Sequence, residues 1–243
     1  MQPQLDLPAY FSLQDEAANG NLTRDARIPP LFSIASEGAD LLTTELHEMS
    51  FPTEKQTTFR VLGSEVLSSC VIASRVALWG NLAESSACLR PALEAAVMLA
   101  HASLERRYAT FAYELRSRRL RAFKYESCLK ALGKDAGGLG KLHEVLSAFG
   151  SHLTASRLQY QGYAWDSESY DRSGFTLDPE AVIRALYFVP VPILSAVHSI
   201  QLGTAQEGRL PVRAEARDLL QERYLTVRSA ADGSASIAPS SEA

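Results

Sequence analysis

The residues with the most chemical potential in this 243-residue chain lie in the segment LAESSACLRPALEAAVMLAHASLERRY. Arg90 and Glu94 are four residues apart, which puts them on one face if the segment is helical. His101 and Glu105 fall 11 and 15 residues after Arg90. At about 100° per residue they sit within roughly 60° of it. The four residues therefore form a polar stripe on an otherwise apolar helix. One chemistry for such a stripe is a polar pocket in which Glu94 or His101 moves a proton. The other is an arginine–glutamate pair that satisfies itself inside the protein, retained because breaking it leaves an uncompensated charge. The second reading is the stronger, since structural ion pairs perturb titration as readily as functional ones. Pro91, between the paired residues, is expected to kink the helix.

Three further groups could carry chemistry. Residues 141–157, KLHEVLSAFGSHLTASR, place His143, Ser147 and His152 among Leu142, Leu146 and Phe149, which are apolar at helical spacing. His152 is a candidate acid or base with Arg90 and Glu94, against the simpler reading of a histidine packed between helices. His143 and His198 read as ordinary helix residues without a paired group in view. Residues 105–130 hold eight basic and three acidic side chains, with five aromatic residues interleaved. Arg116, Arg118, Arg119, Arg121 and Lys124 form the candidate surface for RNA or an acidic protein partner. The plainer reading is a solvated face paired with residues 1–50, where eight acids meet two basic residues. Finally, Tyr160, Tyr163, Trp165, Tyr170 and Phe175 crowd a polar, non-periodic stretch over 159–177. Tyr163, Trp165 and Tyr170, with His101, are candidate ligand-binding residues beneath a functional loop; the alternative is a loop pinned to the body by its rings.

The order of these pieces carries a resemblance. An Arg90-x-x-x-Glu94 pair in an apolar helix, then a basic helix, then Ser147-x-x-x-Ser151-His152, resembles a broad group of uncharacterised bacterial helical-bundle proteins related to HEPN domains. The resemblance spans roughly residues 80–160. It implies a helical bundle, pairing of two copies, and in some members RNA cleavage or a defence role. The chain departs from the nuclease signature of that group, an arginine followed four to six residues later by histidine. None of His47, His101, His143, His152 or His198 has an arginine at that upstream distance. The leading expectation is therefore a HEPN-like binding or regulatory protein acting as a homodimer. The alternative is a metal-independent RNA-cleaving or other hydrolytic enzyme centred on His152 with Arg90 and Glu94.

Other classes are excluded or disfavoured by what is missing. There is no GxGxxG, phosphate-binding P-loop, GxSxG or HExxH pattern. His101 and Glu105 are spaced as two ligands, but two ligands do not make a metal site. No cofactor and no metal are expected. Cys70, Cys88 and Cys128 are odd in number and lack CxxC spacing, which suits a reducing cytoplasm. Cys70 and Cys88 read as small core residues. The first residues lack the basic and apolar regions of a secretory signal. The apolar runs 66–82 and 185–202 are interrupted by Arg75 and by Pro190 and Pro192, so both are expected as buried helices rather than membrane spans. A formal charge of −4 argues against a protein that coats nucleic acid over its whole surface.

The elements that must position these groups are helices. Hydrophobic residues at 46% and charged residues at 21% are ordinary for a globular chain. No stretch alternates as a strand does. Apolar periodicity predicts helices from about 33 to 50, 58–82, 83–106, 107–132, 139–158, from Pro179 to the Pro190 break, on to about 205, and over 211–228. The expected fold is all-α, an antiparallel helical bundle with additional helices. Residues 1–30, with four prolines and little periodicity, are expected as an extended N-terminal arm. Residues 31–229 form the bundle domain, and 230–243 a disordered tail.

Overall fold

A computed structural model of the chain describes residues 7–49, 53–104, 108–117, 123–133, 138–150, 179–205 and 213–235. Among these residues the fold is all-α with no strand. The helices are α1 (Leu7–Arg24), α2 (Ile28–Glu48), α3 (Glu54–Leu78), α4 (Leu82–Leu104), α5 (Tyr108–Arg116), α6 (Tyr125–Leu132), α7 (Leu139–Gly150), α8 (Pro179–Phe188), α9 (Pro190–Ala205) and α10 (Ala214–Ala235).

Helix α4 is the axis of the molecule. It packs against α3, α6, α7 and α9. Leu89, Ala92, Leu93, Ala96, Val97, Leu99 and Ala102 are each at most 1% exposed. Its many alanines keep the helix thin, so neighbours approach on several sides and the hydrophobic surface of each is removed from water. A second, smaller core joins Ile28 and Leu31 of α2, Leu78 of α3, Leu82 of α4, and Val182 and Leu186 of α8.

Local signals set several helix ends. Thr53 caps α3: it accepts from the Gln56 amide, and the Gln56 side chain accepts from the Thr53 amide. The other end closes through Gly80 N to Ala77 O and Asn81 N to Val76 O. Gly80 there has φ of 80°, a left-handed conformation suited to glycine. Asn81 then accepts from Glu84 N and opens α4. This three-residue link makes α3 and α4 an antiparallel hairpin. The expected start at Pro179 and break before Pro190 are both present, with Val189 between α8 and α9. Helix α4 continues through Pro91.

Three expectations are corrected. Residues 7–24 are helical rather than extended; residues 1–6 lie outside the described residues. Helix α1 is tied to the body where Asn21 Nδ2 donates to Leu78 O at 2.8 Å and Arg75 meets Asp15 at 3.3 Å. Pro29 and Pro30 open α2 from its first turn, where a missing N–H loses no helical bond. The single helix expected over 107–132 is two, α5 and α6. Phe123, fully buried between them, packs edge-on against Phe111, and its amide donates to Glu114. Helix α10 continues to Ala235, so the expected tail is helical over its first residues; 236–243 lie outside the described residues.

Glu54–Leu78 and Pro179–Ala205 are long and apolar enough to cross a membrane by length and composition. More than half of each apolar window is buried against other helices, 56% and 67%.

Candidate functional site

The polar stripe of α4 meets α6 and α7 at one point. Arg90 Nε donates to Glu94 Oε1 at 2.9 Å, as the four-residue spacing requires. His143 Nε2 of α7 lies 3.0 Å from the same oxygen and 3.3 Å from Arg90 Nε. A carboxylate oxygen only accepts, so with the proton on Nε2 the imidazole donates to it and Glu94 Oε1 takes two donors. Tyr125, the first residue of α6, stacks on the His143 ring, with centroids 4.0 Å apart and planes 22° from parallel. The His143 side chain is 15% exposed, whereas those of Arg90 and Glu94 are each 31% exposed. The group is thus sunk into the helix junction but reaches solvent along α4.

Tyr125 is itself 8% exposed, and its hydroxyl has no hydrogen-bond partner among the described residues. Burial first, and then the carboxylates of Glu94, Glu126 and Glu144, push its phenol up to about 12. It therefore remains protonated at neutral pH. A carboxylate-oriented imidazole is an arrangement used in acid–base catalysis. With Nε2 engaged by Glu94, proton exchange with a substrate would run through Nδ1.

His143 is the member that sequence reasoning passed over as an ordinary helix residue. Leu142 and Leu146 mark the apolar stripe of α7, and His143 sits about 100° from Leu142, at the edge of that stripe. An edge position lets a polar side chain reach across to a neighbouring helix. His198 also has a partner, since Arg217 Nη1 lies 2.6 Å from its Nδ1.

The other candidates separate. His101 shares the stripe but lies seven residues beyond Glu94, about 10 Å along the axis. It is 2% exposed and packs at a tilt against Phe123, with centroids 5.2 Å apart, so the structure places it in the core and away from Glu94. Arg116 pairs with Glu54 of α3 at 3.1 Å, and Lys124 is exposed just before α6. Among the described residues, acids of residues 1–50 meet four arginines: Asp15 with Arg75, Asp25 with Arg27, Glu37 with Arg223 and Glu48 with Arg213. Arg106 and Arg107 of the basic segment lie outside the described residues. Arg118, Arg119, Arg121, His152, Tyr163, Trp165 and Tyr170 lie outside the described residues, as does Glu105.

The three cysteines are free thiols. Burial pushes the Cys70 thiol far up, which makes it a packing residue rather than a nucleophile. Among the described residues no group of three histidine, cysteine, aspartate or glutamate side chains converges as a metal centre would. No family model matches the chain, and no curated protein or solved structure matches it significantly.

Proposed function

We propose that this chain is a HEPN-like helical binding or regulatory protein that acts as a homodimer in a reducing cytoplasm. The observation that carries this reading is the outer face of α3. Val61, Val71 and Ile72 are 42%, 51% and 51% exposed, on the side opposite the helix's buried residues. Exposed Ser64 and Ser68 lie between them, so the stripe Val61, Ser64, Ser68 and Val71 steps by three and four residues. That spacing is the seam by which two helices pack side by side. A face of valine, isoleucine and small serines, edged by the exposed charges of Glu65 and Arg75, can pair with itself about a two-fold axis. Free cysteines support the reducing compartment.

Sedimentation equilibrium of the full chain tests the reading. A dimer that becomes monomeric in Val71→Asp/Ile72→Asp, with unchanged helical circular dichroism, supports it. A wild type that stays monomeric across the accessible concentrations removes it. A monomer that floats with phospholipid vesicles would assign the stripe to a membrane surface instead.

One observation favours a second reading, metal-independent cleavage of RNA or another hydrolysis: an imidazole held on a partly exposed arginine–glutamate pair. In that reading Glu94 orients His143, His143 exchanges the proton, and Arg90 balances developing negative charge. Purified protein is incubated with mixed cellular RNA in EDTA, beside His143→Ala and His152→Ala. Cleavage lost in His143→Ala supports this site, and cleavage lost only in His152→Ala moves the centre to that residue. No cleavage by the wild type removes the reading.

A further inference from the structure

The outer face of α3 carries charges as well as apolar side chains, and their order fixes how a second copy would lie on it. With Val61, Ser64, Ser68 and Val71 as the seam, Arg60 and Leu67 flank it on one side. Glu65 and Ile72 flank it on the other, all about 60–80° from its centre. Arg60, Glu65 and Ile72 are exposed, and Leu67 is partly buried. Arg60 donates to the Met49 carbonyl through Nη2, and Glu65 accepts from Ser69 at 2.9 Å. A guanidinium has five N–H donors and a carboxylate about four acceptor positions, so both keep capacity for a further bond.

Two orientations bring the seam against itself. When the helices run parallel, a residue on one flank meets the other flank of the second copy five residues further on. Arg60 then faces the second copy's Glu65, and Leu67 faces its Ile72. Two-fold symmetry makes each match twice. When the helices run antiparallel, with Val61 against Val71, each flank meets itself. The two Glu65 side chains then stand together beside the axis, and Ile72 loses Leu67 as its partner. Like charges brought together disfavour that pairing, and less apolar surface leaves water.

The seam ends in charges that are paired on their own chain. Glu54 meets Arg116 at 3.1 Å. Arg75 meets Asp15 at 3.3 Å and lies 5.3 Å over the Trp79 ring. A parallel pair sets Arg75 opposite its own copy, and the nearby Asp15 reduces that repulsion.

We propose that two copies of this chain pair with their α3 helices parallel, and that Arg60 of each against Glu65 of the other selects that orientation. The face supplies both halves of each match, which is why its occupant is a second copy. The inference rests on the pairing through α3 proposed above and adds its orientation and the ionic pair that sets it.

The test is oxidative cross-linking of the full chain carrying Val61→Cys or Val71→Cys, on non-reducing gels beside the wild type with its three native cysteines. Sedimentation equilibrium is run on the same samples. In the parallel pair each variant meets its own copy, so each alone should give a disulfide-linked dimer. In the antiparallel pair the two residues 61 lie about 15 Å apart along the axis, and only a mixture of the two variants would link. Charge reversal reads the ionic pair. Arg60→Glu and Glu65→Arg should each raise the dimer dissociation constant about tenfold, with helical circular dichroism unchanged. Combined, they should restore it to within about twofold, which mere disruption of the face would not do. Linking of the mixture but of neither variant alone overturns the parallel orientation and leaves the dimer standing. A dissociation constant unmoved by either reversal removes the ionic pair. A wild type that sediments as a monomer removes the α3 pairing and this orientation with it.

Discussion

Glu94 Oε1 is the atom on which the polar junction turns, because Arg90 and His143 both converge on it. Removing either donor leaves the carboxylate less satisfied, yet its partial exposure lets water compensate. A double-mutant cycle of Glu94→Gln and His143→Ala should therefore give a coupling of about 1 kcal/mol at neutral pH. Chemical unfolding measures it, and a coupling indistinguishable from zero would mean that the bond does not persist in solution. Tyr125 offers a sharper case. Its ring stacks on His143 while its buried hydroxyl lacks a partner among the described residues. Burying an unpaired hydroxyl is unfavourable, so Tyr125→Phe should keep the stack and leave stability unchanged or raise it by up to about 1 kcal/mol. A clear loss of stability in that variant would assign the hydroxyl a bonding partner.

At the scale of elements, close approach between helices sets the tolerance to substitution. A Cβ built on Gly203 of α9 would stand 2.5 Å from two ring carbons of Phe59 on α3. A Cβ on Gly20 of α1 meets nothing within 4 Å. The same change should therefore have opposite signs. Gly203→Ala should destabilise by about 1–2 kcal/mol, overpacking outweighing the gain in helix propensity. Gly20→Ala should stabilise by roughly 0.5–1 kcal/mol. Urea titration of the two variants distinguishes this from a general glycine effect.

The ion pair between α2 and α10 adds a pH dependence. Hydrogen bonds from Arg223 first, and then from Ser33, hold Glu37 below its usual value of 4.5. The unfolded chain then takes up the proton first as pH falls. The stabilisation is fully present above about pH 4.5 and is lost as pH drops through the lower folded value. Glu37→Gln should flatten the stability profile in that acid window, and thermal melts from pH 6 down to pH 2 would reveal it. An unchanged acid limb would remove Glu37 as a contributor.

At the scale of the whole molecule, the α3 stripe is a side face of a long helix. Pairing through it has a consequence for apparent stability through mass action. If two copies pair through α3, the melting temperature should rise with protein concentration in the wild type and not in Val71→Asp/Ile72→Asp. Scanning calorimetry over a hundredfold range of concentration checks this, and a wild-type melting temperature independent of concentration would count against obligate pairing.

The sequence by itself determined what depends on neighbours along the chain. Helical periodicity, the stop at Gly80-Asn81, the start at Pro179 and the break before Pro190 all arise from backbone preferences within a few residues. The Arg90–Glu94 pair was legible for the same reason, since one helical turn separates them. Helix α1 was not, because its apolar residues show little periodicity and its attachment comes through Asn21 and Asp15 reaching α3. Nor was the division into α5 and α6, with Phe123 before α6 buried against Phe111 and His101. The tertiary structure alone decided that His143, 49 residues beyond Glu94, would complete the polar junction, and that His101 would enter the core instead. Spacing along one helix is set by its fixed geometry, whereas the choice of partner across helices is made only when their faces pack.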